Sequence, residues 1–427
     1  MEQPLFTNDA IVFGILMISL GFVFYTESKT SGFWHKFYKI VPGLFMAYFI
    51  PAIFTTIGAI APEWQNTNAS GEIVKESSQL YYVASRFLLP AALVLMTLSI
   101  DLKAIFNLGS KALIMFFTGT VGIIIGGPIA ILLISLVSPE TVGGADFDAV
   151  WRGLSTLAGS WIGGGANQAA MKEIFGVGDK IFSAMIAVDV IVANIWMAFL
   201  LYGAGINEQI DKKLQADSSA IFTLKNKIEA YRAQILRIPD LTDTMKVMAV
   251  GFGVTAIAHM GADFIAPWIK LNAPGLAKFS LTSGFFWLIV LATTIALGLS
   301  FTRARDLEGV GASRYGSLFL YILVATIGMK MNIMAIFENP GLFLVGLIWI
   351  SFHAILLINM AKMIRAPFFL LAVGSQANIG GAASAPIVAS AFHPSLAPVG
   401  VLLAVMGYAV GTYGAWICGI LMKTISP

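Results

Sequence analysis

The chain has 427 residues, of which 58% are hydrophobic and 11% are charged. Soluble domains carry about 25% charged residues, and the mean hydropathy of this chain is +0.83. This composition excludes a soluble protein and predicts an all-α polytopic membrane protein whose first partner is the lipid bilayer. The net charge of +3 is typical of the Lys and Arg bias of cytoplasmic loops, and no nucleic-acid partner is expected.

Ten apolar runs are long enough to cross about 30 Å of hydrocarbon. They lie near 10–25, 38–60, 80–100, 112–137, 180–204, 244–268, 283–301, 314–330, 341–360 and 398–422. No basic residue precedes the first run, so we interpret it as a retained helix and not as a signal peptide. The sequence therefore predicts a multi-pass protein of the cell (inner) membrane.

A hydrophilic stretch, 206–243, separates a first half, 1–205, from a second half, 244–427. Its apolar residues recur at helical spacing, namely Ile221, Leu224, Ile228, Tyr231 and Ile235. This spacing predicts an amphipathic linker helix that lies on the membrane surface.

The two halves contain similar short motifs in the same order. "SIDLKAIF" at 99–106 is matched by "KMNIMAIF" at 330–337, and "GSWIGG" at 159–164 is matched by "GSQANIGG" at 374–381. One more apolar helix follows the second motif in each half. The order of the motifs predicts an internal repeat of two five-helix halves.

Two further apolar segments, 148–177 and 365–393, are interrupted by glycines and polar residues. Within "GSWIGGGANQAA" at 159–170, each of three consecutive glycines costs a helix about 1 kcal/mol relative to alanine. A bilayer tolerates irregular backbone only where it is buried in protein or lines a water-filled cavity. Each segment is therefore predicted to be a re-entrant or broken helix.

The path of these two segments decides how the halves are related. Re-entry of both gives five crossings per half and an inverted repeat, with the amino terminus outside and the linker 206–243 cytoplasmic. Full crossing gives six per half and parallel repeats. The distribution of basic residues fits both arrangements, whereas the consecutive glycines favour re-entry.

Two inverted hairpins that meet at their tips would form a binding site. Glycines let a ligand approach the backbone, and helices that begin at the tips present N–H groups to an anion. The predicted substrate-binding residues are Ser160, Gly163, Gly164, Gly165, Asn167, Gln168, Ser375, Gln376, Asn378, Gly380, Gly381 and Ser384. The alternative is that the glycines only permit close helix packing.

Asp189 lies about ten residues inside the run 180–204, roughly 15 Å deep by helical rise. A carboxylate at that depth is costly and functional by default, the alternative being a structural group bonded to a neighbouring helix. Asp189 and Asn194 are the predicted ion-coupling residues, and Thr326 and Asn332 are weaker candidates. Carbonyls freed at the breaks would hold a cation, and the predicted Na⁺ site lies near Ser160, Asn167, Asn378 and Asp189.

Other polar residues are assigned no chemistry. Arg86 and Lys330 are expected to extend to a membrane interface. "GVGD" at 176–179 matches a string of intramembrane aspartyl proteases, but these need a second aspartate on another helix, and Asp179 is interpreted as a solvated helix start. The histidines are scattered over the chain at His35, His259, His353 and His393. No enzyme is predicted, and no cofactor apart from the bound Na⁺.

Helix order and the paired motifs at 159–170 and 374–386 resemble the domain-of-unknown-function 819 membrane proteins. These are grouped with the cation:proton antiporter and anion transporter superfamily, which includes the citrate–sodium, glutamate–sodium and bile acid–sodium symporters. The tips Gly163–Gly165 and Gly380–Gly381 loosely resemble the GGxG tips of the 2-hydroxycarboxylate symporters. The resemblance implies an elevator-like transporter with a scaffold domain and a mobile core domain, and a homodimer.

The function expected from these features is secondary active transport, as Na⁺- or H⁺-coupled symport of a small organic, anionic solute. The alternative is a cation:proton antiporter in which Asp189 exchanges H⁺ for Na⁺. Such antiporters often carry a second carboxylate or a lysine beside the aspartate in the core, and here only Asp189 is expected near the centre of the bilayer. A scaffold or channel that does not transport actively leaves the paired glycine tips unexplained.

Overall fold

The computed structural model describes residues 3–38, 41, 43–67, 73–99, 108–216, 238–279, 281–331, 339–393 and 396–427. The helices of the first half are α1 (Asp9–Glu27), α2 (Gly32–Tyr38), α3 (Gly43–Thr56), α4 (Leu80–Leu98), α5 (Ser110–Ser135), α6 (Pro139–Val142), α7 (Val150–Gly163), α8 (Gly165–Phe175), α9 (Asp179–Gly205) and α10 (Asn207–Leu214). Those of the second half are α11 (Leu241–Asn272), α12 (Gly284–Leu299), α13 (Ala312–Gly328), α14 (Gly341–Ile364), α15 (Phe368–Ile379), α16 (Gly381–Phe392) and α17 (Ala397–Ile425). The fold is all-α, as predicted, apart from one small sheet.

That sheet was not predicted. Strands β1 (Glu63–Thr67) and β2 (Ile73–Ser77) pair antiparallel between α3 and α4. Trp64 donates its indole N–H to Glu76 at 3.0 Å from the opposite strand. The segment is hydrophilic and short, so it gives no helical periodicity and only a weak strand signal.

Seven helices of the described residues are long and apolar enough to cross a membrane, or up to nine if each bent helix pair is one span. Each of the ten predicted runs contains a helix, but α3, α12 and α13 are too short to qualify alone. After α12 the chain turns by 96° into the 3₁₀ helix Arg303–Val310. Hydrophobic composition therefore identifies the helices correctly, whereas three of them are shorter than a full span.

The first broken segment is a helical hairpin, formed by α7 and α8 and called the first hairpin below. The break lies at Gly164, whose φ of +75° favours glycine. At its base, the rings of Trp151 and Phe175 lie 5.6 Å apart, and Arg152 donates to the carbonyl of Phe175. Since these residues lie at opposite ends of the segment, the chain folds back on itself.

The second broken segment, formed by α15 and α16, folds back in the same way and is called the second hairpin. The rings of Phe369 and Phe392 lie 5.3 Å apart at its base, and Gln376 donates to Ser384 at 2.7 Å near its tip. Gly381 follows the break with a φ of +55°. Both glycine-rich segments are thus broken helices, as predicted.

The two hairpins stand at opposite ends of α9, a helix about 40 Å long by its rise. The backbone of Ile181, near its start, donates to Asp148 beside the first hairpin at 3.3 Å. Beyond its end, Asp211 accepts from the backbone N–H of Phe368, in the second hairpin, at 2.7 Å. The tips meet between these ends, because a Cβ built on Gly381 would lie 3.8 Å from Cα of Gly164. The inverted repeat of the two halves stays a prediction.

The hairpins pack among α5, α9, α14 and α17, whereas α4, α11, α12 and α13 pack against one another beside them. Phe116 of α5 belongs to the same buried cluster as Phe369 and Leu371 of the second hairpin. Some predictions fall outside the described residues. These are the linker helix with Ile221, Leu224, Ile228, Tyr231 and Ile235, the candidate Asn332, and most of the repeated motifs at 99–106 and 330–337.

Candidate functional site

The carboxylate of Asp189 is held by three side chains of the first hairpin. Ser160 donates to Oδ2 at 2.5 Å, Gln168 donates to the same oxygen at 3.1 Å, and the indole of Trp161 donates to Oδ1 at 2.8 Å. The first two donors were predicted as site residues. Because they flank the break at Gly164, one on each arm, the carboxylate lies about one helical turn from the tip.

Asp189 is partly accessible, whereas the three side chains that bond to it are buried. Within the described ranges, it forms no ion pair with a Lys, Arg or His, and these ranges contain no cluster of three metal-ligating side chains. A charged carboxylate deep in a membrane protein is costly without a partner. The hydrogen bonds of the first hairpin compensate part of this cost.

The glycines of the two tips play different roles. A Cβ on Gly163 would lie 2.5 Å from the carbonyl oxygen of Gly407, so this glycine permits close contact with α17. A Cβ on Gly164 would meet no atom within 4 Å among the described residues outside its own surroundings. Gly165 has only Leu side chains nearby, and Gly380 lies against Ser384. Close packing therefore explains Gly163. Gly164 borders open space, and Gly381 is buried against it where the tips meet.

Asn167 anchors the first hairpin to α17. Its Nδ2 donates to the carbonyls of Gly163 at 3.2 Å and Tyr408 at 3.1 Å, and its Oδ1 accepts from the hydroxyl of Thr412 at 2.7 Å. The amide is fully buried. All three bonds go to groups other than Asp189.

Asn378 anchors the second hairpin to α5 by the same pattern. Its Nδ2 donates to the carbonyls of Gly374 and Phe116, both at 3.0 Å, and its Oδ1 accepts from Thr120 at 2.8 Å. In both anchors the neighbouring helix supplies a carbonyl and, four residues later, a threonine hydroxyl. In the described residues, neither asparagine side chain bonds to Asp189, whereas Ser160 does. The Na⁺ site near these four residues stays a prediction.

Ser375 lies in a second polar cluster. It receives the indole N–H of Trp196 at 2.8 Å, and Nε2 of His353 lies 2.8 Å from the same hydroxyl. Since Nδ1 of His353 lies 3.0 Å from the carbonyl of Gly119, the neutral ring donates through Nδ1 and accepts from Ser375 through Nε2. Near the tip, Oε1 of Gln376 is buried without a partner in the described chain.

The remaining predicted residues bond within their own helices. Asn194 donates to the carbonyl of Val190 at 2.9 Å, and Thr326 donates to that of Leu323 at 2.7 Å. The sequence analysis missed Trp161, Trp196, His353, Thr120 and Thr412. The sequence pointed to Trp161 only through its position inside the glycine-rich motif. The other four residues lie on distant helices, and no sequence motif pointed to them.

Arg86 and Lys330 both pair with carboxylates near the base of the first hairpin, and their extension to a membrane interface stays a prediction. Arg86 pairs with Glu173 of the first hairpin at 2.9 Å, and Lys330 lies 3.3 Å from a carboxylate oxygen of Asp179. Lys172 pairs with the other oxygen of Asp179 at 2.8 Å. Asp179 begins α9 as predicted, and its side chain is 37% exposed, but it also bridges Lys172 of the first hairpin and Lys330 beyond the end of α13.

Comparisons with known proteins agree with this architecture. The family described as "Protein of unknown function (DUF819)" matches residues 14–425. A curated relative is the uncharacterized membrane protein YjcL of Bacillus subtilis (strain 168), which is 23% identical over 404 residues. The alignment covers 90% of this chain and 92% of that protein. The similarity thus extends over the whole helical architecture.

Proposed function

The chain belongs to the family of proteins of unknown function DUF819, and we propose that it is a secondary active transporter for a small organic anion, driven by protons that bind at Asp189. The observation that carries this proposal is the position of the Asp189 carboxylate. It lies deep in the membrane-spanning α9, is held by Ser160, Trp161 and Gln168, and stands one turn from the tip of the first hairpin.

The donors around Asp189 favour a proton over Na⁺ as the coupling ion. A hard cation requires several oxygen ligands, whereas Trp161 and Gln168 direct N–H groups at the carboxylate. These N–H dipoles carry partial positive charge and oppose a metal ion in the same place. A proton needs only one oxygen and forms a covalent bond with it.

Ser160 gives the site a way to accommodate both protonation states. Its hydroxyl donates to Oδ2 of Asp189 at 2.5 Å when the carboxylate is charged. When Asp189 is protonated, the same hydroxyl can rotate and accept the new O–H, because a hydroxyl is both donor and acceptor. The indole of Trp161 is a donor only, so it keeps its bond to Oδ1 and holds the carboxyl in position.

The meeting point of the two hairpin tips is the proposed substrate site. Helices α8 and α16 begin there, and neither has an acidic residue in its first turn. The amino-terminal ends of helices carry partial positive charge and bind anions. Open space beside Gly164 leaves room for a small organic anion to approach the backbone of the first tip. The hairpins would then carry the anion across the membrane in an elevator-like movement.

Transport into proteoliposomes tests the proposal, with radiolabelled mono-, di- and tricarboxylates as probes. The wild type should accumulate at least one of them in response to an inward proton gradient. Asp189→Asn keeps size and hydrogen bonding but removes the charge, so uptake should lose its dependence on that gradient. Asp263→Asn changes an exposed aspartate of α11 and serves as the matched control, with uptake like the wild type.

Other outcomes separate the alternatives. Full proton dependence in Asp189→Asn would remove this residue from the mechanism. Uptake that follows a Na⁺ gradient and survives the substitution would place the coupling ion among neutral groups. Proton release on addition of Na⁺, without carboxylate uptake, would identify an exchanger.

A further inference from the structure

A cavity of about 330 Å³ opens at the base of the first hairpin, away from the tips. Its lining includes Trp151 and Arg152 at the start of α7, Gly176 after α8, Ser283 before α12, and Lys423 near the end of α17. Binding pockets in proteins occupy roughly 300–1,000 Å³, so the cavity has room for a small polar group. It is separated from the tip at Gly164 by about 18 Å along α7.

Two cationic side chains share this cavity. The guanidinium of Arg152 lies 4.9 Å from the ring centre of Trp151, and the ammonium of Lys423 lies 5.6 Å from the same ring centre. Glu173 also lines the cavity, but its carboxylate is bound by Arg86 at 2.9 Å and by the hydroxyl of Tyr81. The acidic group of the cavity is therefore already compensated by residues outside it.

The guanidinium of Arg152 has an unused donor in this place. One terminal nitrogen donates to the carbonyl of Phe175, which fixes the side chain across the base of the hairpin. Its Nε is buried and has no partner in the described chain. A buried donor without an acceptor is costly, and the fork of an arginine matches the oxygens of a phosphate group.

The other wall of the cavity also favours an anion. Thr282 and Ser283 line it immediately before α12, and Ser283 caps that helix by accepting from the backbone N–H of Phe286 at 3.3 Å. The amino-terminal end of this sixteen-residue helix therefore faces the same space as the two cations. The cavity therefore combines hydroxyl donors, a helix start and two cations. Such a set of groups can bind an oxyanion that has more than one free oxygen.

We propose that the cavity bordered by Arg152, Lys423 and Ser283 is a binding site for a phosphate group. The phosphate is bound by the guanidinium of Arg152 and by the charge of Lys423, beside the ring of Trp151. Two sources share this chemistry, namely a phospholipid headgroup and a soluble phosphate. Because the site lies at the ends of α12 and α17, a lipid would reach it from the membrane boundary.

Purified, delipidated protein tests the site with two probes. Sodium phosphate is titrated by calorimetry against sodium chloride at constant ionic strength, and binding of phosphatidylglycerol is compared with that of phosphatidylcholine by native mass spectrometry. Arg152→Gln and Lys423→Gln should each weaken binding of the recognised probe by about tenfold or more. Lys213→Gln, at an exposed lysine of α10, removes the same charge elsewhere and should have no effect.

Each result decides the proposal. Calorimetric phosphate binding that both variants weaken identifies a soluble ligand, whereas phosphatidylglycerol binding that both weaken identifies a headgroup. Arg152→Lys keeps the charge but loses the fork, so it should bind more weakly than the wild type and more tightly than Arg152→Gln. If Arg152→Gln does not fold, Lys423→Gln decides alone. Binding of neither probe, or equal binding in Lys423→Gln and Lys213→Gln, overturns the proposal.

Discussion

Replacement of Thr412 by valine should loosen the anchor between the first hairpin and α17. The hydroxyl of Thr412 donates to Oδ1 of Asn167 at 2.7 Å in a fully buried place. Valine has nearly the same shape, so the main effect is an acceptor left without its donor. Such a group costs about 1–3 kcal/mol, but interhelical hydrogen bonds in membrane proteins average only about 0.6 kcal/mol. We expect a loss of about 1–2 kcal/mol in the free energy of unfolding.

The second anchor provides a repetition of the experiment, and the chain offers a matched control. Thr120→Val removes the bond to Asn378 and should cost a similar amount. Thr255 is also buried, but its hydroxyl donates only to the carbonyl of Gly251 in its own helix. Thr255→Val therefore removes a bond that joins no two helices, and its cost should stay below about 0.5 kcal/mol.

Unfolding of the purified protein in mixed micelles, by stepwise addition of SDS, measures these free energies. A double-mutant cycle with Asn167→Ala isolates the pair term, which should be about 1 kcal/mol for Thr412. The reasoning is refuted if Thr412→Val and Thr120→Val lose no more stability than Thr255→Val. It is also refuted if the effects of Asn167→Ala and Thr412→Val simply add.

Two further predictions concern the tip and the base of the hairpins. Gly164→Leu should abolish uptake while the protein stays monodisperse, because the side chain fills open space and the φ of +75° disfavours it; Gly253→Leu, with nothing near its Cβ, should transport normally. Burial raises the pKa of Asp211 above its ordinary value of 3.8, opposed by the N–H of Phe368. A carboxyl with a higher pKa in the folded state lowers stability as pH rises from its ordinary pKa to the raised one. Asp211→Asn should therefore flatten the fall of the unfolding midpoint as pH rises above 3.8. An unchanged slope contradicts this.

The long elements of the fold follow from composition alone. Every predicted apolar run contains a helix because burying a hydrophobic segment in lipid depends on its length and polarity, which the sequence states directly. The breaks at Gly164 and Gly381 follow from the same reasoning, since glycine both weakens a helix and permits a positive φ. The predicted run 283–301 ends where the charged segment Arg303–Val310 begins, but the sequence does not state the angle of 96° at which the chain turns there.

The site was only partly predictable. Asp189 could be predicted from its position deep inside an apolar run. Ser160 and Gln168 could be predicted from their positions beside the glycines. The hydrogen bonds of Ser160 and Gln168 to Asp189 depend on tertiary structure, because the first hairpin has to fold back next to α9. The asparagines illustrate the limit: Asn167 and Asn378 lie at predicted positions, yet their bonds go to carbonyls and threonines of helices far away in the sequence.

One face of α9 contacts both hairpins, through a carboxylate at the first and an indole at the second. Asp189 accepts from Ser160 of the first hairpin, and Trp196 donates to Ser375 of the second. These two residues of α9 are seven positions apart, which is two helical turns on one face.

Ser160 and Ser375 occupy matching places in the repeated motifs, but only the first faces a carboxylate. Under the proposed function, a proton bound at Asp189 would change the charge next to the first hairpin and leave the contacts of Ser375 unaltered. Because α9 bonds to both hairpins, a change in the bond to Ser160 has a direct physical route to the place where Gly164 and Gly381 meet.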